Sequence, residues 1–229
     1  MFRVFPAMMF VMMTIVTSGQ CVLGEEQDSA MNERFERLAQ SCIDESPSLS
    51  PTGATSLGDH RFDRKLDEIS STARERQRDF CTRYLAELRG IDRAKLSREH
   101  QVDYQLLNHS LRSELWSLET LQEWNWNPIL YTQLTGGAIY GLMAREFAPV
   151  EERLASVTAR LEEYPQLFDQ IRNTLDKKRV PPIHAETAIK QNRGVLNIID
   201  NMVRPHLGKL GEAKRARLLK AISVTTDEV

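Results

Sequence analysis

The residues best suited to chemistry in this sequence are its five histidines, and their neighbours decide what each could do. The sequence GDHRFD brings Asp59, His60 and Asp63 together in a polar loop. An imidazole beside carboxylates can act as a general acid or base near neutral pH. A histidine that caps a nearby helix or turn has the same neighbours, and we favour this interpretation because no nucleophile–base pair is recognisable around it.

The other histidines form no recognisable metal site. None begins the H-E-x-x-H pattern, which places two imidazoles on one helix face around zinc. His100 and Asp103 share a predicted helix face, but one imidazole and one carboxylate do not fill a zinc shell, so we favour a surface hydrogen bond. His184 and Glu186 are two residues apart, which points their side chains about 200° apart on a helix. The sequence therefore predicts no metal ligand, no catalytic residue and no cofactor.

A run of aromatic residues, EWNWNPILY at residues 123–131, is the second candidate site. Trp124 and Trp126 could form the wall of a cleft, with their rings stacked on a ligand and asparagine side chains bonded to its amides. Alternatively, they fill a corner between helices, where their indole N–H groups find local acceptors. Asn127 precedes Pro128, which predicts an extended or turn dipeptide. The composition favours the corner.

Composition excludes some classes of protein. The formal net charge of −2 and the pI of about 6.2 leave no overall electrostatic signal for nucleic-acid binding. Basic residues gather between positions 209 and 220, but acidic neighbours dilute them, and a solvated helix face is the better interpretation. No phosphate-binding loop and no G-x-S-x-G motif are present. The glycines of TGGAIYG, residues 135–141, follow no strand and predict a tight bend or a close helix contact.

Residues 1–24 read as a cleaved secretory signal, with Arg3 followed by an apolar run and acidic residues after Gly24. Cys21 suggests a lipoprotein anchor, but Gln20 precedes it where such anchors have glycine or alanine, so we rank this alternative second. The mature chain, residues 25–229, is then one exported domain, periplasmic or secreted, without a transmembrane span. Its two cysteines, Cys42 and Cys81, lie on apolar helix stripes and predict buried thiols more than a disulfide.

Apolar residues recur at steps of three and four throughout the mature chain, which predicts an all-α fold of several helices in a mostly antiparallel array. The predicted helices cover residues 29–45, residues 70–90 and a stretch capped by Ser97. Others begin at Pro149 and at Pro165, and the last follows RVPPIH and ends at Pro205. The apolar side of the helix after Ser97 is predicted to include Val102, Leu106 and Leu111. No alternating strand pattern and no fixed repeat appears.

The order of motifs resembles the N-terminal half of the bacterial domain-of-unknown-function 885 family (DUF885). Five stretches in succession carry the resemblance, over about residues 44–200: ESPSLSPTGATSLGDHRFDRKLDEIS, LSREHQVDYQLLNHSLRSELWSLE, EWNWNPILY, AREFAPVEERLASVTARLEEYPQLFDQIRNTL and PPIHAETAIKQNRGVLNII. The positions that match family motifs, and so could face a cleft, are Gly58, His60, Asp63, Trp126, Asn127, Pro128 and Tyr131. The resemblance implies an exported, mostly helical protein related to zinc metallopeptidases.

The resemblance also implies what this chain lacks. Family members are more than twice as long, and their H-E-x-x-H helix and further ligands lie in the C-terminal half, so zinc is implied only for that half. Three readings follow, in order of preference. The chain is a truncated or split member, inactive alone and completed by a separately encoded C-terminal half. It is a free-standing helical domain that binds a peptide or protein. It carries a zinc-independent activity around His60.

Truncation has a physical consequence for apolar surface. Helices built to pack against an absent half should expose apolar side chains, and the glycine-bearing stretch supplies Leu130, Leu134, Ile139, Leu142 and Met143. Exposed apolar patches above a few hundred Å² usually mark an interface. The sequence therefore predicts exposure of these five side chains and self-association of the isolated chain.

Overall fold

The structure is a computed structural model that describes the backbone of residues 19–229 and the side chains of residues 29–229. This described part is all-α, without a β-strand, as the sequence predicts. Most of the predicted signal, residues 1–24, lies outside it. No described helix is both long and apolar enough to cross a membrane. The helices are α1 Gly19–Glu45, α2 Pro51–Leu57, α3 Ser71–Arg89, α4 Arg98–Trp116, α5 Glu123–Trp126, α6 Pro128–Met143, α7 Val150–Thr174, α8 Pro182–Ile198 and α9 Glu212–Glu228.

Buried apolar side chains form two clusters. The N-terminal cluster lies between α1, α3 and α4, and its largest members include Phe35, Phe80 and Leu88. The C-terminal cluster lies between α6, α7, α8 and α9, around side chains such as Leu154 and Ile222. The chain passes from one cluster to the other through a π-helical turn, Ser117–Leu121, and the short helix α5. The aromatic run of residues 123–131 therefore lies at the junction of the clusters.

Helix directions follow from cross-helix hydrogen bonds. Neighbours in sequence, such as α6 and α7, run antiparallel. Helices α6 and α8 run parallel, since Asn127 pairs with His184 and Thr132 pairs with Gln191 further along both helices. Helices α7 and α9 are also parallel, because Glu162 pairs with Arg217 and, further along both helices, Arg172 pairs with Glu228. Helices that follow each other in sequence are therefore antiparallel, whereas the pairs α6–α8 and α7–α9 are parallel.

Two predicted helix starts are confirmed by their caps. Ser70 Oγ accepts a hydrogen bond from Ala73 N at 3.0 Å, and Ser97 Oγ accepts one from His100 N at 3.3 Å. Each bond satisfies a backbone N–H that has no partner within its helix. The predicted boundary at Pro165 is wrong, because α7 continues through it from Val150 to Thr174. Proline removes one helical hydrogen bond, but the fully buried Leu161 and Tyr164 hold this helix against the C-terminal cluster.

The buried side of α4 differs from the predicted one. Val102 and Leu106 are 44% and 60% exposed, while Leu111 is buried. The stripe that packs on the N-terminal cluster instead includes Tyr104, Leu107 and Leu111, at steps of three and four. Both stripes contain apolar residues, so periodicity alone does not distinguish them.

The prediction of exposed apolar residues on the glycine-bearing helix is wrong for three of five positions. Ile139, Leu142 and Met143 are buried in the C-terminal cluster, while Leu130 and Leu134 are half-buried. They face inward because α7 and α8 pack against α6. Two of the glycines lie where α6 contacts its neighbours, but these contacts do not require glycine, because an added Cβ would lie at an ordinary van der Waals distance. A Cβ added at Gly136 would lie 3.6 Å from Ile198 of α8, and one at Gly141 would lie 3.5 Å from Thr55 of α2.

Candidate functional site

The seven motif positions fall into two groups in the structure. Gly58, His60 and Asp63 lie at the end of α2 and in the turn after it. The other four lie where α5 joins α6, near the N-terminus of α8, and they are Trp126, Asn127, Pro128 and Tyr131. No hydrogen bond or ring contact joins the groups directly among the described side chains, so each is considered separately.

Gly58 ends α2 in the left-handed region, with φ of +91°. The amide of Gly58 donates to Thr55 O at 3.1 Å, and that of Asp59 donates to Ala54 O at 2.9 Å, which satisfies the last carbonyls of the helix. Side chains other than glycine are strained at this φ. The glycine is therefore explained by the turn that brings His60 back towards α2.

His60 is held by a buried carboxylate and an aromatic ring. Its Nδ1 lies 3.0 Å from Asp63 Oδ2, and its ring stacks on Phe147 with centroids 3.6 Å apart. Asp63 is 8% exposed, and its other oxygen accepts a hydrogen bond from Thr55 Oγ1 at 2.7 Å. Asp59 does not join this cluster, because it caps the turn and pairs with Arg61. That pairing lowers the pKa of the Asp59 carboxyl.

Behind Asp63, the guanidinium of Arg160 is fully buried in the centre of α7. It donates to Thr55 Oγ1 at 2.7 Å, to Ala138 O at 2.6 Å, to Lys65 O at 3.0 Å and to Pro51 O at 3.3 Å. Burial lowers the pKa of the Arg160 guanidinium, and nearby carboxylates, including that of Asp63, oppose this effect. A single chain of contacts thus leads from the surface at His60 to the core at Arg160.

This chain of contacts can orient an imidazole but provides no nucleophile. A carboxylate that fixes His60 through Nδ1 is the arrangement seen in base–orienter pairs. However, no serine, threonine or cysteine side chain among the described residues hydrogen-bonds to His60. A cavity of about 550 Å³ beside it is lined mostly by cationic and apolar side chains. The contacts support a structural role, in which Asp63 holds His60 within the turn and the His60 ring stacks on Phe147. The cap of this turn is Asp59, not the histidine.

At the second group, both tryptophans satisfy their indole N–H groups locally. Trp124 Nε1 donates to Leu118 O and Trp126 Nε1 donates to Leu121 O, each at 3.0 Å. These acceptors are carbonyls of the π-helical turn and would otherwise be free at the end of a helix. Tyr131 OH donates to Trp124 O. Both indole N–H groups thus have the local acceptors that the corner interpretation expects.

Asn127 connects three elements at this corner. It is buried, its Oδ1 accepts from Ile129 N at 3.2 Å as the cap of α6, and its amide donates to the Glu123 carboxylate. Pro128 occupies the first helical position, where its missing N–H costs nothing. The Oδ1 atom also lies 3.0 Å from His184 Nδ1, and the His184 ring packs on Trp126. Two motifs that are 57 residues apart thus meet through one asparagine.

The sequence did not identify the residues that contact the candidate site positions. Arg160 had a signal, because it lies three residues after Val157 and four before Tyr164, on the apolar stripe of α7. An arginine on such a stripe is buried only when its donors are satisfied. Thr55 and Phe147 had no signal, since their roles depend on contacts that the sequence does not display.

Other predicted features are placed as follows. His100 of α4 bonds to Asn32 and lies 3.0 Å from Glu36, so these partners are on α1 and the predicted pairing with Asp103 does not form. Cys42 and Cys81 are buried free thiols, as favoured, and burial raises their pKa values to about 11 and about 12. Among the residues that the structure describes, no group of three or more His, Cys, Asp and Glu side chains is arranged to hold a metal ion.

Comparison with known proteins places this chain in a family. A search of the curated proteins found no match. Among solved structures, the chain is similar to one described as a putative lipoprotein of unknown function from Shewanella oneidensis, with 26% identity and a TM-score of 0.78. That match covers 85% of this chain and 35% of the Shewanella chain, so this chain spans about a third of its length. The family model described as "Bacterial protein of unknown function (DUF885)" matches residues 51–228, and the chain therefore belongs to this family.

Proposed function

We propose that this chain is an exported, non-catalytic docking unit of the DUF885 fold, which packs against a further helical segment of that fold. Export is supported by the signal-like residues 1–24 and by the lipoprotein description of the Shewanella protein. The observation that carries the docking proposal is helix α6. It has no charged side chain among its sixteen residues, although part of it faces outward.

The outward strip of α6 lies between two neighbouring helices. Gln133, Gly137, Tyr140 and Ala144 follow each other at steps of three and four, and thus share one side of the helix. On one flank Gly136 approaches α8, and on the other Gly141 approaches α2. Tyr140 is 54% exposed, and a Cβ at Gly137 would meet no atom within 4 Å. A central helix that is apolar or uncharged all round is typical of a buried element.

The two flanking helices also carry exposed apolar side chains. Leu57 at the end of α2 is 90% exposed, and Ile183 and Ile189 of α8 are 64% and 67% exposed. We call Leu57, Tyr140, Ile183 and Ile189, together with the α6 strip, the outer face. Its occupant in the proposal is a helical segment equivalent to the part of the Shewanella protein that lies beyond the match. This chain then serves as a wall on which that segment is positioned.

The test is a mixing experiment with residues 25–229. The purified chain is combined with the segment of the Shewanella protein that lies outside the matched region, and the molar mass is measured by size-exclusion chromatography with light scattering. The proposal requires a defined complex that Tyr140→Asp weakens. Ile43→Asp is the matched control, because Ile43 is 61% exposed but belongs to α1, outside the outer face.

The alternative reading, a free-standing helical domain that binds a peptide or protein, gives a different result in the same experiment. That domain would remain a monomer in both samples, and Tyr140→Asp would not change its molar mass. The isolated chain provides a second measurement, since an unoccupied outer face should cause concentration-dependent self-association that Tyr140→Asp removes.

A further inference from the structure

A cavity of about 420 Å³ lies at the junction of the N-terminal and C-terminal clusters. Its size falls within the range of about 300–1,000 Å³ that is usual for small-molecule sites. Helices α3 and α4 form one side and α5 and α6 form the other, so the cavity is built from both clusters. The apolar part of its lining includes Ile69, Leu118, Trp124, Leu130 and Leu134.

Arg74 brings an unpaired positive charge to this cavity. Its guanidinium lies over the ring of Trp124, 3.9 Å from the centroid, and forms no ion pair with a described carboxylate. Burial lowers the pKa of this guanidinium, and the only group that opposes this effect is the phenol of Tyr131. The fully buried Arg160, by contrast, has acceptors for its guanidinium. Arg74 therefore has free N–H donors at a site where water is partly excluded.

The stacking partner of Arg74 is itself fixed. Trp124 donates its indole N–H to Leu118 O, and its own carbonyl accepts from Tyr131 OH. Trp124 is therefore fixed by two hydrogen bonds, one from its indole to the π-helical turn and one from α6 to its backbone. A guanidinium over a fixed aromatic face keeps its orientation while its edge remains open to an anion.

A second polar position lies one helical turn along α3. Gln77 follows Arg74 by three residues and donates its amide to Glu114, and both side chains line the same cavity. Burial raises the pKa of the Glu114 carboxyl, which favours its neutral form. The cavity thus offers one cation and one amide–carboxyl pair that accepts or donates hydrogen bonds. Its lining also includes two carboxylates that have partners of their own, since Glu68 pairs with Arg76 and Glu123 accepts a hydrogen bond from Asn127. Hydroxyl groups and apolar side chains complete the walls.

From this arrangement we propose that the cavity binds a small apolar carboxylic acid in its anionic form. The carboxylate receives hydrogen bonds from the Arg74 guanidinium, and the apolar body lies between Trp124, Leu130 and Leu134. A charge-assisted, two-point contact with guanidinium is the strongest interaction these side chains provide for a ligand. This site is distinct from the outer face, and the proposal does not depend on the docking function.

The test uses 3-phenylpropionate, whose aromatic body and single carboxylate fit the proposed chemistry, and 3-phenylpropionamide as its uncharged counterpart of the same shape. Binding to the chain is measured by isothermal titration calorimetry and by the tryptophan fluorescence. We expect the acid to bind about tenfold or more tightly than the amide, because the amide lacks the charge-assisted contact. Equal binding of the two compounds, or no binding of either, overturns the proposal.

Variants then locate the contact. Arg74→Met keeps an unbranched side chain over Trp124 but removes the charge, and it should reduce acid binding about tenfold or more. Arg78→Met is the matched control, since Arg78 lies one turn further along α3, is exposed and does not line this cavity. Retained acid binding in Arg74→Met, with a wild-type circular dichroism spectrum, overturns the proposal. If Arg74→Met does not fold, the comparison of acid and amide on the wild-type chain decides.

Discussion

Arg160 Nη2 donates a hydrogen bond to Thr55 Oγ1 at 2.7 Å, and both side chains are buried. Thr55 in turn donates to Asp63, so a short helix near the N-terminus of the described chain is fastened to the centre of α7. Arg160 also donates to a second group of α2, the carbonyl of Pro51, and to the carbonyls of Ala138 in α6 and of Lys65 in the loop after α2. One side chain therefore connects α2, α6, α7 and the loop at Lys65.

Replacement of Arg160 should destabilise the fold more than that of any surface arginine. Arg160→Met removes four hydrogen bonds donated by a charged group, to Ala138, Lys65, Pro51 and Thr55, and a hydrogen bond of this kind contributes about 1.5–3 kcal/mol. We expect a loss of about 3 kcal/mol or more in the free energy of unfolding, measured by urea denaturation. Arg217→Met is the control, because this partner of Glu162 is exposed to solvent and its replacement should cost far less stability. Similar losses in the two variants would contradict the role of Arg160.

Two glycines should respond to alanine with opposite signs. Gly58→Ala places a Cβ at φ of +91°, which costs about 1–2 kcal/mol although the surrounding space is open. Gly194 lies inside α8, and a Cβ there meets no atom within 4 Å, so Gly194→Ala should stabilise by about 0.5–1 kcal/mol. Thermal unfolding measures both changes. A neutral Gly58→Ala would show that the turn has no need of the left-handed conformation.

The two cysteines should remain reduced and unreactive in the folded protein. Burial raises the pKa of the Cys42 thiol to about 11 and that of Cys81 to about 12, so both are protonated at pH 8. Because the thiolate is the reactive form, labelling by a disulfide reagent should be slow in buffer and fast in denaturant. Two thiols titrated per mature chain after unfolding are expected. A mass lower by two hydrogens, indicating a disulfide, would contradict this.

The half-buried Glu114 predicts a pH dependence of stability. Its folded pKa is raised, so the stability that it contributes is fully present below the unfolded pKa, near 4.5, and decreases as pH rises through the folded value. Glu114→Gln keeps a hydrogen-bond acceptor for Gln77 but removes this ionisation. The variant should match the wild type in acid and exceed it at pH 7, by urea denaturation at both pH values. An excess that persists below pH 4 would have another cause.

The length of the exported chain provides a test of the N-terminal prediction. Cleavage after Gly24 should yield a protein that begins with Glu25, seen by intact mass spectrometry of the secreted or periplasmic product. A lipid-modified Cys21 at the N-terminus would instead support the anchor alternative. Retention of residues 1–24 would contradict both.

Rules that depend on residues close in sequence predicted the helices of this fold well, but they did not predict which helices contact each other. Ser70 and Ser97 were predictable caps because a hydroxyl before an apolar period satisfies a backbone N–H close in sequence. Pro165 was misassigned because the burial of Leu161 and Tyr164 outweighs the local cost of a proline. The candidate sites were predictable only in part. His60 and Asn127 were recognisable, whereas their partners Phe147 and His184 are brought near only by tertiary packing.

Helix α2 lies far in sequence from the residue that fastens it to the core. Thr55 and Pro51 meet Arg160 across 105 and 109 residues, whereas α3 and α4 pack as sequence neighbours. A chain that emerges from a ribosome or a translocation pore with its N-terminus first therefore presents α2 long before α7 exists. A helix of seven residues is not stable alone in water. Residues 51–63 thus gain their hydrogen bonds with Arg160 only after α7 has emerged.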